Sequence, residues 1–261
     1  MADLNTLPPD VNKGPQILII CSIFVGLALF MVIVRIWVRI KITANLGRDD
    51  YCAAAAMFVM FVEMMVIIPE VVYGAGRHVQ YLDHDTNIKG LHLNFVTQPL
   101  CLIALCLAKV SVGLFLLRLA ISRNYIRFIW CVIVFTILST LGNLLTVFFQ
   151  CQPLSFVWDF TVEGGKCIPQ PHLKFAAFFN SSVSVLTDVI FALLPIPLLW
   201  KVQLNRKTKA AVVCILSMGL FAVAAGIVKM TFLNDYGKYG DFLFDSSYLT
   251  IWYEPHLVRW H

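Results

Sequence analysis

QILIICSIFVGLALFMVIVRIWV, residues 16–38, decides the fold, because Arg35 is the one charged side chain in an otherwise apolar run. A helix rising 1.5 Å per residue needs about 20 mainly apolar residues to cross the hydrocarbon core of a bilayer. Residues 51–72, 95–119, 129–150, 175–200 and 210–233 read the same way. The alternation of a half-buried strand is absent inside them, and an open sheet in lipid would leave backbone groups without partners. The predicted fold class is therefore all-α, a polytopic transmembrane helix bundle. Six full spans are expected, with a partial seventh beginning at residues 242–253 and broken off by Glu254, Pro255, His256, Arg259 and His261. This divides the chain into a tail at 1–15, a transmembrane domain at 16–253 and a divergent tail at 254–261.

Composition agrees. At 59% hydrophobic, 13% charged and a mean hydropathy of +0.80, the chain has too few polar side chains to cover a soluble domain. A net charge of +5 would suit nucleic acid, but the basic residues flank apolar segments, where they orient membrane proteins. The expected partner is the lipid bilayer, and nucleic acid is excluded. Lys and Arg alternate by loop. Eleven fall after spans one, three and five, among them Arg35, Arg39, Arg48, Arg118 and Lys201, against six on the other side. The richer side normally faces the cytoplasm, which puts the N-terminus outside. Asp3, Asp10 and Pro8-Pro9 lack the basic start of a cleaved signal peptide, so span one reads as an uncleaved anchor.

Eight cysteines are present. Cys151 and Cys167 bracket the loop between spans four and five, which the orientation places in an oxidising compartment. A Cys151–Cys167 disulfide is the favoured pairing; Cys101 bonded to one of them, or free thiols throughout, are the alternatives. Pro195 and Pro197 should kink or end span five, while Ala222 and Gly226 form a small-residue pair that permits close helix approach.

Ionisable side chains inside spans are costly, so each is a candidate for function. With Arg35 and Arg118 at the span ends counted among the loops, there are five: Glu63 and Glu70 in span two, Lys109 in span three, Asp188 in span five and Lys229 in span six. Counted from the inner boundary, Glu63, Lys109 and Asp188 fall at roughly 15–18 Å, and Glu70 and Lys229 at roughly 28 Å. The first three would share a midplane layer, with the Lys109 ammonium between two carboxylates; the last two would pair near the outer interface. Glu63 and Glu70, seven apart, share a helix face. Such a network serves as a structural clasp, a ligand or proton-coupled site, or a catalytic centre, and the residues alone leave the three open.

His78, His84 and His92 lie near Asp83 and Asp85 in residues 73–94, read as a polar loop, but their spacing matches no compact metal motif, so no metal is expected. Zinc-protease, nucleophile-elbow and phosphate-loop patterns are absent. Asp49-Asp50 lacks a second aspartate cluster with which to hold a magnesium-bound diphosphate. A retinal cofactor would need a lysine deep in the last span, and none stands there; no cofactor is expected.

Gly47-Arg48-Asp49-Asp50-Tyr51, Gly74-Ala75-Gly76-Arg77-His78, Lys109-Val110-Ser111 with Leu117-Arg118-Leu119, Cys151-Gln152-Pro153 with Trp158 and Cys167, and Asn180 to Asp188 followed by Pro195-Ile196-Pro197 resemble the fungal rhodopsin-domain family. The resemblance covers roughly residues 35–253. It implies a seven-helix bundle of filamentous fungi with an outer N-terminus, and membership divided between receptors and proteins encoded in secondary-metabolite clusters. The function expected is that of a receptor-like protein binding a small apolar ligand within the bundle near Glu70 and Lys229, with a signalling partner at the basic cytoplasmic loops. The alternative is a membrane-embedded cyclase or isomerase, with Glu63 or Asp188 as proton donor, or an accessory protein of a biosynthetic cluster.

Overall fold

The structure, a computed structural model, describes residues 12–43, 46–120, 122–194, 223–224, 226–228 and 230–231. Among the described residues are five long helices: α1 (Gly14–Val38), α2 (Arg48–Val72), α3 (His84–Leu119), α4 (Arg123–Phe148) and α5 (Gln170–Leu193). All five are long and apolar enough to cross a membrane. The all-α bundle is thus present. Residues 195–222 and 232–261, which carry most of the expected sixth span and the whole of the partial seventh, lie outside the described residues, as does Lys229. Gly226 is described, and a Cβ there would come within 2.7 Å of Val185 on α5.

Three helix starts differ from the sequence reading by more than a turn, that of α5 at Gln170 rather than at 175 among them. The expected loop at 73–94 is largely helix, because α3 starts at His84; α4 starts at Arg123 rather than at 129. Hydropathy marks where hydrocarbon ends, whereas a helix continues into water while its end is stabilised. Asp85 in the first turn of α3 opposes the helix dipole there, and Ser122 caps α4 by accepting the Tyr125 N–H.

The packing is that of a membrane protein. Large apolar side chains such as Ile23, Phe30 and Trp37 of α1, and Phe135, Leu138 and Leu141 of α4, point outward. The interior combines an aliphatic cluster of Leu116, Ile129, Val132, Ile133, Phe191 and Leu194 with buried polar groups that a soluble core seldom holds. α3 is the central helix, packed on α2, α4 and α5, while α1 packs against α2. Gly113 lets α3 and α4 approach, since a Cβ there would meet Ile133 at 2.7 Å.

At one end of the bundle, β1 (Cys151–Gln152) pairs antiparallel with β2 (Lys166–Cys167), and Cys151 and Cys167 are joined by a disulfide. The favoured pairing is the one present; Cys101 takes no part in a bridge. The loop closed by this bond folds back onto α3, where Trp158 lies 4.5 Å from the His92 ring and 5.4 Å from Phe95, and Phe95 meets Phe148 at 6.2 Å. Within it, Thr161 donates to Asp159 through side chain and backbone, which holds that carboxyl below its ordinary range. At the same end the α2–α3 turn passes through Gly76 at φ +91°, whose carbonyl accepts the Lys13 N–H at 3.0 Å. A Cβ at Gly76 would sit 2.8 Å from the Gly14 nitrogen. Only glycine permits both the conformation and the contact.

Because the disulfide staples a 16-residue separation, replacing both cysteines by serine is expected to cost about 3 kcal/mol and to lower the thermal midpoint of the detergent-solubilised protein. An unchanged midpoint in a fluorescence melt would refute the staple.

Candidate functional site

Three polar layers lie along the bundle, and each is built from side chains that the helices bring together. The first is at the end opposite the disulfide. Asp49 and Asp50 open α2, and both side chains are only 2% exposed. Arg35 reaches across from the last turn of α1 and bridges them, its Nη2 to Asp49 at 2.8 Å and its Nε to Asp50 at 2.9 Å. Arg39, one turn on, reaches Asp49 at 3.4 Å, and Arg118 of α3 reaches it at 3.3 Å. Ser111, also on α3, donates to the Asp49 carbonyl at 2.7 Å, and the Asp50 carboxylate accepts the Gly47 N–H at 3.0 Å. Arg35 and Arg39 also lie over the Phe115 ring, 5.5 and 5.8 Å from its centre. One charged knot thus fastens α1, α2 and α3.

The second layer is between α3 and α5. Lys109 Nζ lies 3.0 Å from the Asp188 carboxylate and donates to the Ser184 carbonyl, the Ser184 hydroxyl and the Thr187 hydroxyl at 2.9–3.0 Å. An ammonium has three donors, so α5 fully occupies it. Among the described residues, Lys109 takes its hydrogen-bond and ion-pair partners from α5, and Glu63 is half-buried on α2.

The third layer is at the disulfide end. Glu70, 6% exposed on the last turn of α2, accepts a hydrogen bond from Asn94 Nδ2 of α3 at 3.0 Å. Gln98, one turn further along α3, donates to the Asn94 side-chain oxygen at 3.4 Å. The expected partner of Glu70, Lys229, lies outside the described residues. No three His, Cys, Asp or Glu side chains gather for a metal ion among the described residues. His84 opens α3 and His92 stacks on Trp158.

Reading the intramembrane charges misses the first layer, since its members sit at span boundaries, where Arg35, Arg39 and Arg118 count toward orientation and Asp49-Asp50 is weighed only as half of a magnesium-diphosphate site. Spacing held the signal. Arg35 and Arg39 are one turn apart, and Ser111 and Arg118 two turns apart, so each pair shares a helix face turned toward the Asp49-Asp50 pair.

These helices and layers define a multi-pass α-helical membrane protein. The fungal rhodopsin domain matches residues 34–254, and the chain belongs to that family. It is similar to fugralins biosynthesis cluster protein 2 of Gibberella zeae, 30% identical over 40% of this chain and 25% of the relative, and to a SAT4 family membrane protein of Emericella nidulans, 25% identical over 60% and 41%. It is also similar to receptor GIN3 of Arthrobotrys oligospora, 23% identical over 88% of this chain and 56% of that protein. The chain thus spans less than half the length of the first two. No solved structure matches.

Two substitutions probe the layers. Asp49→Ala removes a shared acceptor of Arg35, Arg39 and Arg118; because Arg35 and Arg39 keep Asp50 and all three still reach solvent, the loss is expected at about 2 kcal/mol, below the 3–5 typical of a fully buried pair. Lys109→Met is expected to cost about 3 kcal/mol, and adding Asp188→Leu should restore most of it, because an apolar pair replaces an ion pair more cheaply than a lone charge does. Thermal melts of the four proteins in one detergent decide both; equal losses for the single and double Lys109 variants would contradict the pairing.

Proposed function

We propose that this chain is a receptor-like integral membrane protein that takes a small apolar ligand within its helix bundle at the disulfide end, with Glu70 as polar anchor. One observation carries the reading. Glu70 is a buried carboxylate with several acceptor positions, yet among the described residues Asn94 is its only hydrogen-bond donor. A ligand with a hydroxyl or amine on an apolar body would supply a further donor. The similarity to receptor GIN3 across 88% of this chain supports the same reading. The excess of Lys and Arg at the other end favours an N-terminus outside and a cytoplasmic signalling partner at the basic loops.

A second reading, an enzyme or accessory protein of a secondary-metabolite cluster, is favoured by similarity to the polyenoic acids biosynthesis gene cluster protein Ba17b of Metarhizium anisopliae over 96% of this chain at 24% identity. Glu63 or Asp188, the latter 3.0 Å from Lys109, would be the proton donor in that case.

Three photoreactive long-chain probes that differ only in head group, an alcohol, an amine and a carboxylate, separate these readings on the full chain in nanodiscs. The alcohol and amine are expected to label saturably near Glu70 and Asn94, and Glu70→Leu should lower that labelling about tenfold, the worth of one hydrogen bond to a charged group. Equal labelling by all three probes, unchanged in Glu70→Leu, would reject the anchor. Accumulation of an unconverted precursor when the gene is deleted would favour the second reading.

A further inference from the structure

Among the described residues, the knot at the end of α1 sets three guanidiniums against two carboxylates. Arg35, Arg39 and Arg118 meet Asp49 and Asp50, and the exposed Lys41 and Arg48 follow within two residues of Arg39 and directly before Asp49. Burial is unequal. The carboxylates are 2% exposed, whereas the arginine side chains keep 17–34%. The acids therefore form a floor and the guanidiniums a rim.

That rim is ordered before any anion arrives. Arg35 and Arg39 are held from below by the aspartates and lie over Phe115, so little side-chain entropy remains to be lost, and a guanidinium fork matches two oxygens of a phosphate. The backbone changes at the same place, where α1 passes into a π-helical turn, Arg39–Thr43. Such turns are rare and concentrate at functional sites. Beside the rim, Ile33 and Trp37 of α1 and Ile40 of the π-helical turn point outward. A cationic rim therefore adjoins an exposed apolar helix face, and the two halves match the two halves of a phospholipid.

We infer that this edge of the bundle is a headgroup site for an anionic phospholipid bearing a phosphate monoester, with the phosphate at Arg39, Lys41 and Arg48 and the acyl chains along Ile33, Trp37 and Ile40. The excess of one charge in the knot, joined by Lys41 and Arg48, suits the dianionic monoester better than a singly charged diester. The site is separate from the Glu70 anchor, which lies at the other end of α2.

The test uses the full chain in phosphatidylcholine nanodiscs containing a minor fraction of phosphatidic acid, with the lipid retained by the protein counted by native mass spectrometry. Phosphatidic acid is expected to be enriched on the wild type over its bulk fraction. Lys41→Gln with Arg48→Gln, which leaves every ion pair of the knot in place, should reduce that enrichment by about fivefold per residue, the worth of one basic side chain at a membrane surface. Lys166→Gln with Lys174→Gln at the disulfide end, and Glu70→Leu, should leave it unchanged. Overturning results are retention by the Lys41/Arg48 variant equal to wild type, an equal loss in the Lys166/Lys174 variant, or displacement of phosphatidic acid by equimolar soluble glycerol 3-phosphate, which would make the site one for a free anion.

Discussion

The bundle depends on a constraint of the solvent it spans: a charge in a low-dielectric interior is tolerated only when another charge or several dipoles meet it. Asp49 and Asp50 are nearly sealed from solvent, and their charged partners come from the end of α1 and from α3, while the start of their own helix adds one hydrogen bond from the Gly47 N–H to Asp50. Three helices are brought into register by that need. The Lys109 ammonium repeats it between α3 and α5, with one carboxylate and three neutral oxygens. Glu70 differs, since its compensation among the described residues is a single amide.

α3 links all three layers. Asn94, Lys109, and Ser111 with Arg118 stand on it in succession, serving the Glu70, Asp188 and Asp49 positions. Apolar contacts alone would tolerate sliding of one helix past another, because lipid is as good a neighbour as leucine. Polar contacts at three heights do not. A shift of α3 by one residue, 1.5 Å, would stretch all of them together.

Much of this was legible in the residues. The helical class followed from apolar run length, and the disulfide from two cysteines bracketing one loop. Lys109 and Asp188 stood out because charges are scarce in spans. The start of α3 at His84 was hidden, since hydropathy falls at the interface while helix geometry does not. The arginine–aspartate knot was hidden for a related reason: at a span boundary a charge looks solvated, and only the folding of α1 onto α2 and α3 removes Asp49 and Asp50 from water. The lid formed by Trp158 on His92 and Phe95 was equally invisible, because ring stacking between segments over 60 residues apart leaves no periodic trace.

α1 carries a mechanical corollary. Its buried residues are Gly14 and Ile17 alone, both at one extremity, where Lys13 is hooked onto Gly76, and its other extremity is bolted by Arg35 and Arg39. Between these two fixings it is a greasy strut facing acyl chains. Lipids that thin or thicken around it would bend or tilt the strut, and the load would fall on the fixings rather than on the aliphatic core. Strain imposed by the surrounding lipid would thus reach the Asp49-Asp50 pair before it reached the aliphatic cluster.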